Sequence, residues 1–494
     1  MSFKQNLEKV GTHPDIIIII TDQQRATQHF PPGWEEENLP NLTFLKKNGF
    51  SFDRAFCNTC MCSPSRATLL TGTYPAQHGV TQTLTSSGNY SPAEGELINT
   101  MPNIMNMLQG EGYDVQYRGK WHLSKGVTTY ASLVAADVAL YGAMGWAPPD
   151  SGEDTNPLNF GGGYANHDAR YVKEAIDYLQ TVKARRANND MTPYCIILSL
   201  VNPHDLLAYP KTAGSYGYDE KNWAGRQIGL PSSIDEDLLK NKKPVAQFDV
   251  LQVQKAGLGN LKDEKDQLNY LNFYGYLLSK IDTEISYFTN ELYKPGHDGK
   301  RLADTAIVIQ TSDHGEMGLT HGGLRQKMFN AYEETIRIPM VISNPILFKD
   351  EQRPQNSMHL ATLVDVLPTI AEIANVRKVP SGLRGVSLLP IVKDGTSVQD
   401  SILFAFDDTK AGLNNKPSMV NAANRVRTVR TAEWKYSYYF DAMGAYANQY
   451  ELYNLIDDPD EMTNLAYDPH HQQKREELEQ QLKELERSKL LVRS

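Results

Sequence analysis

Cysteine is scarce in this chain: Cys57, Cys60, Cys62 and Cys195 are all it has. So sparse a set argues against the disulfide framework of a small secreted domain. The cluster at Cys57, Cys60 and Cys62 offers half a zinc site, and no Cys or His pair at zinc-finger spacing completes it. A cysteine phosphatase is disfavoured too, because its phosphate loop needs a longer Cys-to-Arg spacing than Cys62 to Arg66. Long apolar runs are also missing. Ile16–Ile20 is far too short to span a bilayer, and Met1–Asp15 is polar, without the pattern of a secretory leader. These absences lead us to expect a soluble cytoplasmic protein with no membrane partner. A basic field is lacking as well: the net charge is -10, which argues against a nucleic-acid partner. Internal repeats and coiled-coil heptads are absent.

What is present is a chain of 494 residues, 40% apolar, enough for a large core. We expect a catalytic domain over residues 1–380 and a smaller C-terminal subdomain over 381–494. The organising stretch runs from Cys62 to Gly72. Ser63 suits a helix N-cap, Pro64 the first helical position, and Gly72 a left-handed stop. Cys62 then lies at the positive end of a helix dipole with Arg66 one turn on, a natural place for an oxyanion.

Several short buried strands end in polar residues. Asp15–Thr21 is continuous and β-branched, as in a parallel sheet covered on both faces, and runs into Asp22 and Gln23. Tyr113–Gly119 delivers Lys120, Trp121 and His122; if the strand continues, Lys120 and His122 share a face. Tyr194–Val201 leads to Asn202-Pro203-His204-Asp205, and Thr305–Thr311 to Ser312-Asp313-His314-Gly315-Glu316. Open α/β sheets bind ligands at such strand ends. Each feature alone has a plainer reading, as a polar turn, a surface histidine or an inert buried thiol. Phe50–Phe56 reads as one strand and Ile338–Ile342 as another. Helices are expected at Met101–Leu108, Tyr171–Arg185, Asp266–Glu291, Leu360–Ala374 and over 471–494. Ser124–Asn166, with Gly161-Gly162-Gly163, reads as a long functional loop or lid. Ser401–Phe406 and Trp434–Phe440 look like strands of the smaller subdomain.

Cys62-Ser63-Pro64-Ser65-Arg66, followed by Leu70-Thr71-Gly72, closely resembles the signature of the type I sulfatases of the alkaline phosphatase superfamily. Gly119-Lys120-Trp121-His122, Asn202-Pro203-His204, Asp313-His314-Gly315 and Lys327–Pro339 are similar to further motifs of that family, in its order. The resemblance spans Asp15 to Leu465 and is weaker between Leu206 and Lys265. It implies an α/β fold: a large mixed, mostly parallel sheet sandwiched by helices, with a C-terminal α+β subdomain.

It also implies a mechanism. A separate formylglycine-generating maturase would oxidise Cys62, and the resulting aldehyde hydrate would attack the sulfur of a small-molecule sulfate ester. One divalent ion, Ca²⁺ by default with Mn²⁺ or Mg²⁺ open, would be held by Asp22, Gln23, Cys62, Asp313 and His314. Lys120 and Lys327 would carry the sulfate charge, and His204 with Lys327 would protonate the leaving group. His122 would serve as base for sulfate release, and Arg66 would hold the modified residue. Gln23 stands where the family commonly has Asp, and with His314 it is similar to choline-sulfatase-like and phosphonate monoester hydrolase-like members. A phosphonate monoester or phosphodiester hydrolase is therefore the alternative enzyme, and a non-catalytic binding protein the alternative of another class. His321 could serve the site or a turn. The leaving group (aryl, choline, sugar or alkyl) and assembly into a homo-oligomer are left open.

Overall fold

In a computed structural model of the chain, the described residues are 3–84, 94–125, 133–148, 150, 167–223, 227–349, 355–411 and 418–490. Strands in chain order are β1 (Asp15–Asp22), β2 (Gly49–Phe52), β3 (Ala55–Phe56), β4 (Asp114–Gly119), β5 (Tyr194–Pro203), β6 (Ala306–Ser312), β7 (Arg337–Ile338), β8 (Met340–Ser343), β9 (Asn356–Ser357) and β10 (Ala361–Thr362). The C-terminal part adds β11 (Ser401–Phe406), β12 (Arg425–Thr431), β13 (Trp434–Phe440) and β14 (Gln449–Asn454).

The main sheet has the order β4-β5-β1-β6-β8-β2-β9. Its first four strands are parallel, β8 runs antiparallel between β6 and β2, and β9 pairs parallel with β2. The isoleucine run explains why β1 sits centrally. Ile16, Ile18 and Ile20 enter one core, Ile17 and Ile19 the other, and all are fully buried. An uninterrupted aliphatic strand satisfies both faces only when both are covered. One cover is the helix pair His167–Ala187 and Glu264–Tyr293, which presents Tyr171, Ala175, Leu179, Tyr274 and Leu278 to Ile17 and Ile19. The other includes the helix Cys62–Thr71.

The four-stranded antiparallel sheet β11-β12-β13-β14 is also covered twice. Ile402, Phe404 and Phe406 face the large core, where Phe406 meets Phe329 with ring centroids 4.8 Å apart. Leu403, Val429, Tyr436 and Leu452 pack under Leu478 and Leu482 of the terminal helix Gln472–Leu485.

Three sequence expectations are corrected. Phe50–Phe56 is two strands in two sheets, because the chain turns at Asp53 and Arg54 between β2 and β3. Ile338–Ile342 is likewise divided at Pro339, which has no N–H to continue a ladder: β7 pairs with β3 and β8 with β6. Leu360–Ala374 starts as strand β10, and the α-helix is confined to Val366–Ile373. There the Asp365 carboxylate accepts the Thr362 N–H at 2.9 Å and begins the helical turn late. Of the expected loop Ser124–Asn166, Gly161-Gly162-Gly163 lies outside the described residues. No helix among the described residues is long and apolar enough to cross a membrane.

The central position of β1 sets the fold's sensitivity. Ile18→Ala should lower stability by about 3 kcal/mol, since both faces are packed and the cavity cannot collapse. Urea denaturation checks this, with a lower midpoint and an unchanged slope expected.

Candidate active site

The helix Cys62–Thr71 begins two residues earlier than its sequence suggests. Met61 is the N-cap, in extended geometry, Cys62 is the first helical residue, and Pro64 still lies in the turn where a missing N–H costs nothing. Ser63 is therefore not the cap; its hydroxyl instead accepts the Leu84 N–H at 3.1 Å. Gly72 ends the helix at φ 63, as its freedom allows.

At the helix start, Cys62 Sγ lies 3.4 Å from Asp22 Oδ1 and 3.1 Å from His314 Nε2. Donor atoms of Asp22, Cys62, Asp313 and His314, all buried, lie within 4.8 Å of one another. His314 Nδ1 is 3.0 Å from the Gly315 carbonyl. A carbonyl only accepts, so Nδ1 carries a proton, and Nε2 is the ring atom that faces the cluster. Cys57 and Cys60 take no part: their thiols reach the Thr335 and Lys327 carbonyls, and no disulfide forms.

Arg66 ties the cluster together. Its Nη2 donates to Asp22 Oδ2 and its Nε to Asp313 Oδ2, each at 3.0 Å, while Nη1 reaches Ser199 Oγ and the Lys120 carbonyl. Lys120 Nζ adds a second cation 2.7 Å from Asp22 Oδ2. Burial opposes ionisation of Asp22, but Lys120, His204, Arg66 and His314 outweigh it and hold the carboxyl well below its usual range. Burial and the Asp22 charge push Asp313 the other way, up to about 7, against the pull of Arg66 and Lys120.

Lys120 reaches this place from a loop and not from a strand. β4 ends at Gly119, where φ is 97 and a Cβ would stand 1.8 Å from the Ser199 carbonyl oxygen. Strand alternation therefore does not govern Lys120 and His122. The Asp150 carboxylate instead receives the Trp121 and His122 N–H groups at 2.7 and 2.8 Å. His122 turns at φ 54 and sets Nε2 2.5 Å from the Leu84 carbonyl, beside the Leu84 N–H held by Ser63. The carbonyl again places a proton on Nε2.

Gln23 takes a left-handed φ of 71 and donates its N–H to Asp313 Oδ1 at 3.1 Å. Its Nε2 lies 2.6 Å from Glu316 Oε2, and its Oε1 accepts Lys327 Nζ at 2.9 Å. An ionised carboxylate only accepts, so the amide nitrogen must face Glu316. Glu316 is held in turn by Tyr270 Oη at 2.7 Å and the Gln326 N–H at 3.0 Å. His204 follows β5 on a 3₁₀ turn, buried and near enough to Asp22 to favour its charge. Asp168 secures that strand end by accepting the Val201 and Asn202 N–H groups at 2.7 and 3.0 Å. His321 is elsewhere: Nδ1 is 2.6 Å from Glu236 Oε2 and the ring stacks on Tyr332 at 3.7 Å.

The structure thus brings Asp22, Cys62, Arg66, Lys120, Asp313 and His314 into direct contact, with Gln23 and Lys327 alongside. Supporting residues that sequence reasoning passed over are Ser199, Asp150, Asp168 and Glu316. Glu316 stood in the Asp313-His314-Gly315-Glu316 run and could have been noticed. The other three lie far along the chain from what they hold, with no local pattern to mark them.

Residues 14–376 match the family model described as Sulfatase, and residues 321–488 match that described as N-sulphoglucosamine sulphohydrolase, C-terminal. Arylsulfatase K of Mus musculus is 24% identical over 474 residues, covering 93% of this chain and 77% of that protein. Among solved structures, one in complex with its substrate D-glucosamine-2-N,6-O-disulfate superposes with a TM-score of 0.69 at 20% identity, covering 96% of this chain and 98% of the other. The phosphonate monoester hydrolase of Agrobacterium radiobacter gives 0.67 at 18% identity, covering 96% and 95%.

Because Arg66 separates two buried carboxylates, Arg66→Ala should cost about 3–5 kcal/mol, the usual result of leaving buried charge uncompensated. Thermal or chemical denaturation measures this. Added Ca²⁺ should recover part of the loss in the variant.

Proposed function

The chain belongs to the sulfatase family and is a sulfuric ester hydrolase, and we propose that its nucleophile is a formylglycine made from Cys62 by a separate maturase. The observation that carries this reading is the place of Cys62, first residue of a buried helix and within ligand distance of Asp22, Asp313 and His314. A divalent cation suits that donor set. Two carboxylates and an imidazole nitrogen converge there, and burial with the Asp22 charge pushes Asp313 up to about 7 despite the pocket's own cations. Oxygen-rich donors of this kind favour Ca²⁺, with Mg²⁺ or Mn²⁺ as the other candidates. Asp22, Asp313, His314 and residue 62 would hold the ion, which would supply charge stabilisation for sulfate oxygens and favour an ionised nucleophile. In this reading Gln23 accepts Lys327 Nζ, and the second lone pair of its amide oxygen leaves it able to serve the ion as well.

The other residues act on the substrate through their own groups. The ammonium groups of Lys120 and Lys327 neutralise sulfate oxygens, and the N-terminal amides of the Cys62 helix add partial positive charge. Asp22 keeps Lys120 in place, and Gln23 aims Lys327. His204 protonates the departing ester oxygen, and Nδ1 of His122 takes a proton from the hydroxyl of residue 62 for the second half-reaction. Arg66 keeps Asp22 and Asp313 at fixed separation throughout.

The substrate we propose is a small sulfate ester, with sulfated sugars first to be tried because a structural neighbour acts on D-glucosamine-2-N,6-O-disulfate. Cytoplasmic location is our reading as well, supported by four cysteines that form no disulfide. A second reading, phosphonate monoester hydrolysis, is favoured by one observation: His314 stands in the metal-type cluster and the chain shares its fold with a phosphonate monoester hydrolase.

Peptide mass across Cys62 should fall by about 18 Da in protein made with the maturase, the difference between thiol and aldehyde. Cys62→Ala should lower kcat/KM on 4-nitrophenyl sulfate by at least about a thousandfold. Full activity in that variant overturns the reading, and faster turnover of a 4-nitrophenyl phosphonate monoester than of the sulfate favours the second one. Chelation should lower the melting temperature, and Ca²⁺ at about a hundred times its Kd should restore about 2.7 kcal/mol.

A further inference from the structure

A second polar cavity, of about 360 Å³, lies outside the cluster around Cys62. Its walls include Lys255, Lys262, Arg325 and the backbone of Gly322 and Gly323, with Asp235 as the one acidic side chain. The local charge is therefore positive in a chain whose net charge is -10. Arg325 is 3% exposed. Its Nη2 is pinned by the Gln254 and Gly259 carbonyls at 2.9 and 2.8 Å, whereas Nη1 is buried with no hydrogen-bond partner. Burial pushes this guanidinium's pKa down, and Tyr270 and Glu316 only partly offset that. Glu316 makes no ion pair with it, being engaged by Tyr270, Gln23 and the Gln326 N–H. Among the described residues neither Lys255 nor Lys262 has an ion-pair partner, and both are exposed.

A buried donor without an acceptor costs free energy of the order of a lost charged hydrogen bond. Its persistence beside two unpaired ammonium groups is accounted for if an acceptor enters the cavity. We propose that this cavity is a second oxyanion site, which takes a sulfate- or phosphate-type group with Arg325 Nη1 as the inner donor and Lys255 and Lys262 as the outer cations. Arg325 stands two residues before Lys327, so the site borders the segment that carries a catalytic lysine without sharing any residue with the Cys62 cluster. Two settings offer such a group, a free inorganic anion and a sulfate on a larger substrate.

Equilibrium dialysis with radiolabelled sodium sulfate at low ionic strength distinguishes the settings and needs no turnover. A free-anion site predicts two sulfates per wild-type chain and one in Lys255→Glu/Lys262→Glu, whose exposed positions leave folding intact. Arg325→Gln should show the same loss, with circular dichroism confirming its fold. If sulfate alone counts one per chain, calorimetry with a disulfated disaccharide on the Cys62→Ala protein reads the other setting. There the double lysine variant should weaken binding about tenfold, while affinity for a monosulfated sugar stays unchanged. One sulfate per chain together with unchanged disaccharide affinity overturns the proposal. A positive dialysis result beside absent esterase activity would separate this site from the proposed function.

Discussion

Two carboxylates, Asp22 and Asp313, are buried side by side with the guanidinium of Arg66 between them. Charges removed from water are tolerated only when their partners are rigidly placed, and here every partner comes from a different part of the fold. Asp22 ends β1, Asp313 follows β6, Arg66 lies one turn into the Cys62 helix, and Lys120 follows β4. None of these elements can shift without exposing a charge to an apolar surrounding. The same arrangement that constrains the fold leaves Asp313 short of positive charge, which is why a divalent cation fits beside residue 62.

Around that centre, orientation is imposed by groups that do only one thing. Carbonyls at Leu84 and Gly315 accept and cannot donate, so they decide which nitrogen of His122 and of His314 keeps its proton. Glu316 accepts and cannot donate, so it turns the Gln23 amide until its oxygen meets Lys327. Asp150 and Asp168 secure backbone N–H groups at the two strand ends that bring His122 and His204. A site assembled from loop residues gains its precision in this way, from buried acceptors outside the reacting groups.

The C-terminal sheet has a comparable part in the large core. Its inner face meets Phe329, two residues beyond Lys327, and its Lys435 and Arg430 close on Glu333 a few residues further. Burial disfavours the Glu333 charge, but Arg430 and Lys435 overcome this and hold the carboxyl well below its usual range. The segment between His321 and Glu333 is thus fastened at both ends, by Glu236 on His321 and by these cations on Glu333.

Much of this was legible in the chain itself. An unbroken isoleucine run can be satisfied only at the centre of a covered sheet, and a Cys-x-Pro-Ser-Arg start followed by Thr71-Gly72 has few readings, because helix caps and dipoles act over a single turn. Polar residues directly after buried strands could be placed at one sheet edge for the same local reason. Tertiary structure alone decided the rest. Lys120 and His122 left strand geometry because the Ser199 carbonyl admits only glycine at 119, and Gln23 met Lys327 because Glu316, nearly three hundred positions away in sequence, orients its amide. Local propensities are written in neighbouring residues, whereas the direction of a buried hydrogen bond depends on whichever distant acceptor the packing brings within reach.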